Sequence, residues 1–195
     1  MQRICVVPGG VKAYQADPRC VLVEENRRCV FCEEPHRLRV HGSYLRYALF
    51  PDPEPVHQIP VLRLLCPRAG RTVSLLPEFC LPRRQHGPAI VGIFLRELVL
   101  AGEGLLKALR RARAGVSGHA VAEALLGGFR KRVGELRAYL AGLRHRVVRG
   151  ASAGPERFGD LVPVVAGLLE GFPDAPEAFL YHGRCFHESF GKGLA

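Results

Sequence analysis

Tryptophan is absent, methionine occurs once, and Lys12, Lys107, Lys131 and Lys192 are the only lysines in a chain of 195 residues. The base is therefore nearly all arginine. With Ala, Gly and Pro also heavy, part of that bias is what a GC-rich coding sequence produces. No apolar run approaches the ~20 residues a membrane-spanning helix needs; the longest, such as 161–169, are about half that, so no membrane association is expected. The N-terminus, MQRICVVPGG, has one Arg and too short an apolar stretch for a signal-peptide core. Without an export signal, the seven cysteines read as thiols or metal ligands in a reducing cytoplasm, not as a disulfide framework. Motifs of catalysis are missing too. There is no glycine-rich phosphate loop, no nucleophile elbow and no H-E-x-x-H, so the chain is not expected to be an enzyme.

What is present is globular: 48% hydrophobic and 24% charged residues, with a formal net charge of +10. A surface of that sign attracts polyanions. The charge is uneven. Residues 1–85 carry 13 basic and 8 acidic residues, six of the seven cysteines and ten of the fifteen prolines. Residues 86–149 carry 12 basic against 4 acidic residues, and Pro88 is their only proline. Residues 150–195 reverse the sign, with 3 basic and 6 acidic residues. The composition predicts an α+β chain in two parts: a small antiparallel β domain over 1–85 with an N-terminal extension, and an all-α region over 86–195.

In the first part, residues 37–40, 44–50, 58–66 and 72–76 read as short strands, with His41-Gly42-Ser43 as a tight turn. Ile59, Val61, Arg63 and Leu65 fall on one sheet face, Leu62 and Leu64 on the other. Cys29-Val30-Phe31-Cys32 places two thiolates on one tight turn, able to grip a tetrahedral zinc ion from one side. The second grip falls between later strands, at Cys66-Pro67-Arg68-Ala69-Gly70-Arg71, where Ala69 stands in the slot of a fourth cysteine. Cys29, Cys32 and Cys66 are thus the candidate metal ligands and Zn²⁺ the candidate cofactor. The candidates for a fourth ligand are His36, His41, His57 and Cys80.

The run CVFC, HGSYLRY, IPVLRLLCPRAGRTVSLLPEF and LPRR resembles the N-terminal zinc-binding domain of bacterial insertion-sequence transposases, and a stand-alone bacterial relative of it. The resemblance covers residues 29–84 and extends more loosely into the helices. It implies a zinc ribbon with Cys29, Cys32 and Cys66 as ligands, His41, Gly42, Tyr44 and Arg46 as a turn-and-strand signature, a helix-turn-helix to follow, and DNA as partner. Ala69 departs from the family's pattern. Transposase chemistry needs acidic residues that hold two metal ions, and the acidic residues here form no such set.

A helix-turn-helix is predicted at 105–130. Leu105, Leu106, Leu109 and Ala112 form one apolar stripe, Gly115 turns the chain, Ser117 caps the second helix, and Val121 anchors it. Gly118, His119, Ala122 and Glu123 would face a DNA groove. Arg110, Arg111, Arg113, Arg130, Lys131 and Arg132 would neutralise phosphates. Ser117 and His119 complete the candidate interface with duplex DNA. Beyond it Leu126, Phe129, Val133, Leu136, Leu140, Leu143 and Val147 repeat at 3-4 spacing on a helix reaching about residue 149. That seam suits either a homodimer or packing on the chain's own tail helices. The cluster His182, Cys185 and His187 lacks a fourth ligand nearby and reads as incidental. The expected function is non-catalytic DNA binding, transposon-derived or accessory to a transposase; the alternative is a protein-interaction or oligomerisation module.

Overall fold

A computed structural model of the chain describes residues 1–50, 56–82, 84–112, 118–143 and 158–190. The fold is mixed: a four-stranded sheet with helices before and after it. The sheet takes β1 (Gln2–Cys5), β2 (Arg39–Leu49), β3 (Val56–Leu65) and β4 (Thr72–Pro77) in the order β1-β4-β3-β2. The meander β2-β3-β4 is antiparallel, while β1 joins β4 in parallel, Gln2 beside Ser74 and Cys5 beside Pro77. β1 lies in the N-terminal extension, where no strand is expected from the sequence. Four residues are too short for alternation to be visible, yet Ile4 and Cys5 are buried.

The expected turn at His41-Gly42-Ser43 is not a turn. β2 is one continuous strand, and those residues form a β-bulge where the register with β3 shifts between Val40 and Gly42. Gly42 has φ +147, a conformation other residues adopt with strain, so a glycine that looks like a turn signal serves the bulge. β2 is the outer strand, and Val40, Tyr44, Leu45 and Tyr47 on it are exposed. On β3 the alternation places residues as read, but both faces are buried at Val61 and Leu64.

Between β1 and β2 lie α1 (Gly10–Ala16), a 3₁₀ turn at Pro18–Val21 and the single-turn α2 (Glu24–Arg27). Asp17 caps the 3₁₀ turn by accepting from Arg19 N–H at 2.9 Å. Tyr14, fully buried, donates its hydroxyl to the Pro60 carbonyl at 2.6 Å and so ties α1 to β3.

After the sheet come α3 (Pro88–Leu95), which runs into a π-helical turn at Arg96–Leu100, then α4 (Leu105–Arg111), α5 (His119–Arg130), α6 (Val133–Gly142), α7 (Val162–Leu169) and α8 (Ala175–Phe190). The long helix expected to about residue 149 is two helices, α5 and α6, broken at Lys131–Arg132; residues 144–157 lie outside the described residues. Leu126, Phe129, Val133, Leu136 and Leu140 are all buried in the chain's own helical core, with Phe94, Leu98, Leu161, Val165 and Phe179. Leu143 is exposed, and Val147 lies outside the described residues. The seam closes within the molecule.

A second buried cluster fills the sheet region around Tyr14, Leu38, Ile59, Leu64, Leu75 and Phe79. The two clusters interlock. Leu49 and Leu81 belong to the helical core, and Leu180 of α8 packs against the sheet core. Arg46 on β2 donates to the carbonyls of Leu81 and Arg84. No helix among the described residues is long and apolar enough to cross a membrane.

Candidate metal centre

The chain from Arg27 to Leu38 folds back on itself in a narrow ladder. Leu38 N–H donates to the Arg27 carbonyl at 2.7 Å, Cys29 N–H donates to the His36 carbonyl at 2.9 Å, and Arg28 pairs with Arg37 between them. The C-x2-C turn sits at the tip, and His36 returns directly opposite Cys29. On the other side, the β3–β4 hairpin presents Cys66 at its first corner. Its turn closes through Gly70 N–H to the Cys66 carbonyl at 3.0 Å and Cys66 N–H to the Arg71 carbonyl at 2.8 Å. Gly70 takes φ +64 there, which a side chain would resist.

These two loops bring Cys29, Cys32, His36 and Cys66 together, their ligand atoms all within 4.8 Å of one another. Cys32 Sγ lies 3.6 Å from Cys66 Sγ, and His36 Nε2 lies 3.3 Å from the same sulfur. The other imidazole nitrogen, Nδ1, is 3.1 Å from the Glu34 carbonyl, which fixes the ring with Nε2 facing the sulfurs. Backbone amides aim at the sulfurs as well: Phe31 N–H at Cys29 (3.3 Å) and Ala69 N–H at Cys66 (3.2 Å). Arg71 lies over the Phe31 ring at 4.6 Å and Arg68 pairs with Glu34, so the hairpin holds the cysteine loop from both sides. The cluster can hold a metal ion.

Its electrostatics suit a cation. Burial works against ionising Cys66, but donation from the Ala69 amide and then from His36, Cys32 and Cys29 outweighs it, bringing this thiol down to about 6. Burial, and then hydrogen bonding to Cys66 and Cys29, pushes Cys32 up to about 11. One negative charge is welcome in the cluster and a second is opposed, the imbalance that a bound divalent ion removes.

All three sequence-read cysteines are therefore brought together, and His36 is the fourth member. His41 is exposed on β2, and the side chain of His57 lies outside the described residues. Cys80 is buried in the sheet core, where desolvation pushes its thiol to about 12 against the pull of Arg46. Cys5 is raised to about 12 by burial as well. Both are inert core thiols. The spacing C-x2-C-x3-H is the signal that favours His36, since a residue four places beyond the turn lies on its returning arm.

The expected DNA-contacting residues do not form one free set. Arg111 is 3.5 Å from both Glu97 and Glu103, and Lys107 is 2.7 Å from Glu103. His119 at the start of α5 is 3.3 Å from Glu123. Arg130 is exposed and lies over the Phe158 ring at 5.6 Å; Arg110 and Lys131 are exposed; Arg132 is half-buried at the α5–α6 break. Arg113, Gly115 and Ser117, with the whole 113–117 turn, lie outside the described residues. Helices α4 and α5 exist at the expected places, but Ala122, expected to face a groove, is fully buried beside Leu125, and Leu106, expected in the apolar stripe, is exposed; Val121 packs against the core. In the tail cluster, His182 is buried and hydrogen-bonds Tyr139 through Nδ1 at 2.8 Å, a core role. No family model, curated protein or solved structure matches the chain.

Proposed function

We propose that the protein is a non-catalytic nucleic-acid-binding protein stabilised by a structural zinc ion at Cys29, Cys32, His36 and Cys66. The closed donor set carries the metal half of this reading. Three sulfurs and one imidazole suit tetrahedral zinc, in which ligand sulfurs sit about 3.8 Å apart at the usual Zn–S distance. The 3.6 Å separation of Cys32 and Cys66 agrees. Four protein ligands leave no open position, so the ion supports the fold and performs no hydrolysis. The charge carries the other half: 12 basic against 4 acidic residues over 86–149, with Arg110, Arg130 and Lys131 exposed. The resemblance of residues 29–84 to transposase zinc-binding domains supports an accessory role beside DNA. The oligomerisation alternative loses its main argument, because five of the seven seam residues are buried in the chain's own core.

The test is anisotropy titration of a mixed-sequence duplex, repeated at several salt concentrations, with metal content measured on the same protein. Stoichiometric zinc and a steep salt dependence are expected. The triple variant Arg110→Ala, Arg130→Ala, Lys131→Ala should flatten the log–log salt slope by about 0.9 per lost phosphate contact. Absence of any binding to nucleic acid, duplex or single strand, at low salt overturns the proposal.

A further inference from the structure

A cleft of about 1180 Å³ opens where β1, β4 and β3 meet the helical half. Gln2, Ser74 and Arg63 are cross-strand neighbours and share one sheet face, with Tyr44 on the same side of β2. Arg3 of β1, which donates to the Glu25, Asn26 and Arg28 carbonyls, lines the edge together with Arg28, and Arg132 and His187 join from the helices. Against four arginines the lining holds one carboxylate, Glu25.

Two of these side chains are poorly satisfied. Arg132 Nη1 and His187 Nδ1 are each removed from water with no hydrogen-bond partner among the described residues. Leaving such groups buried and unpaired is costly unless a ligand supplies the partner. Burial also pulls the Arg132 guanidinium below its ordinary value; Glu135 opposes that, and Arg84 adds to it. The helical wall of the cleft thus offers an Arg132 donor that lacks an acceptor and an unpaired imidazole nitrogen, beside a sheet floor where Arg63 donates to Thr72 Oγ1 at 3.0 Å and keeps further N–H groups to give.

We propose that this cleft binds a single strand of nucleic acid, with Arg63, Arg132 and Arg28 on its phosphates and Tyr44 stacked on a base. The inference rests on the nucleic-acid reading above and names the form bound and the surface that binds it. The volume exceeds the ~300–1,000 Å³ of pockets for small ligands, so an extended chain fits better than a free anion. A recess floored by a sheet and reached by cations from opposing sides admits a narrow strand, whereas duplex phosphates meet protruding elements. Guanidinium groups grip phosphate through paired N–H bonds, and an exposed tyrosine accepts any base on its ring. An acidic peptide would use the charge but not the ring.

The full-length, metal-loaded protein should be titrated with a fluorescein-labelled mixed-sequence 12-mer, with the duplex made from it, and with a poly-glutamate peptide as competitor. Single-strand affinity above duplex affinity is expected. Arg63→Gln with Arg132→Gln should weaken the 12-mer at least tenfold and flatten its log–log salt slope by about 1.4, at ~0.7 per contact. Since both arginines are partly buried, Tyr44→Ala serves as the second variant: 38% exposed on an outer strand, it leaves the cores intact. It should cost about tenfold in 12-mer affinity, and Tyr44→Phe should restore it. Unchanged 12-mer affinity in the variants with circular dichroism preserved overturns the proposal, as does stronger competition by poly-glutamate. Duplex binding that depends on Arg110, Arg130 and Lys131, with no single-strand binding, also overturns it while leaving the nucleic-acid reading standing. Failure to bind either form sinks both.

Discussion

His36 occupies the role that position 69 gives up. Where Ala69 stands, a fourth cysteine would follow Cys66 by three residues, mirroring the step from Cys29 to Cys32. The imidazole arrives instead from the returning arm of the first loop, so three of the candidate ligands come from one loop and one from the hairpin. His36→Ala should therefore abolish stoichiometric metal. His36→Ala with Ala69→Cys should recover it, because the second grip is then complete. Metal content by plasma emission spectrometry, together with melting temperature, reads both outcomes. The three cysteines were legible in the sequence from spacing alone. His36 was one of four candidates, because pairing of Cys29 with His36 across the narrow ladder is a fact of register and not of composition.

At the scale of elements, helix positions followed the apolar periodicity while strand ends did not. Of the stripe Leu105, Leu106, Leu109 and Ala112 all but Leu106 turn inward, and with the buried run from Leu126 to Leu140 they mark α4, α5 and α6. The break at Lys131–Arg132 leaves no mark in the sequence, because the 3-4 spacing continues through it. β1 is equally silent, because four residues in a parallel edge carry no pattern. One contact between elements is set by the absence of a side chain. Gly92 on α3 lies against α8 so closely that a Cβ would meet the Ala175 carbonyl at 2.7 Å and the Phe179 ring at 2.8 Å. Neither backbone nor a fully buried ring can yield cheaply. Gly92→Ala should destabilise the protein by ~1–3 kcal/mol through overpacking, read as a shift of the urea midpoint with unchanged slope.

For the whole molecule, the interlocking of two cores matters more than either alone. Glu78 accepts from Val7 N–H at 3.0 Å with one oxygen and faces Arg184 of α8 at 3.4 Å with the other, so one carboxylate joins the segment after β1 to the last helix. Arg46 makes the matching tie from β2. Heating should therefore give one transition, coincident in far-ultraviolet ellipticity and tyrosine absorbance. Removing the metal with a chelator should lower that single midpoint by more than about 10 °C, since a chain of this size shifts ~2–4 °C per kcal/mol and structural zinc supplies many times that unit. Two separated transitions in the metal-loaded protein would show the ties to be too weak to couple the cores.

The bulge on β2 bears on how the chain avoids its own copies. Between Arg39 and Ala48 the outer side of this strand has no partner strand among the described residues, and it carries exposed Val40, Leu45 and Tyr47: the makings of a template onto which another strand could add. Two devices blunt it. Near one end, Leu49 is capped by the segment around His86, with hydrogen bonds to Gln85 and Gly87. Near the other, the bulge interrupts the even spacing of amides and carbonyls that an incoming strand must match. A bulge that only glycine holds without strain thus makes the rim of the sheet a poor template for fibre-like stacking at high concentration, a consequence far in kind from metal or charge.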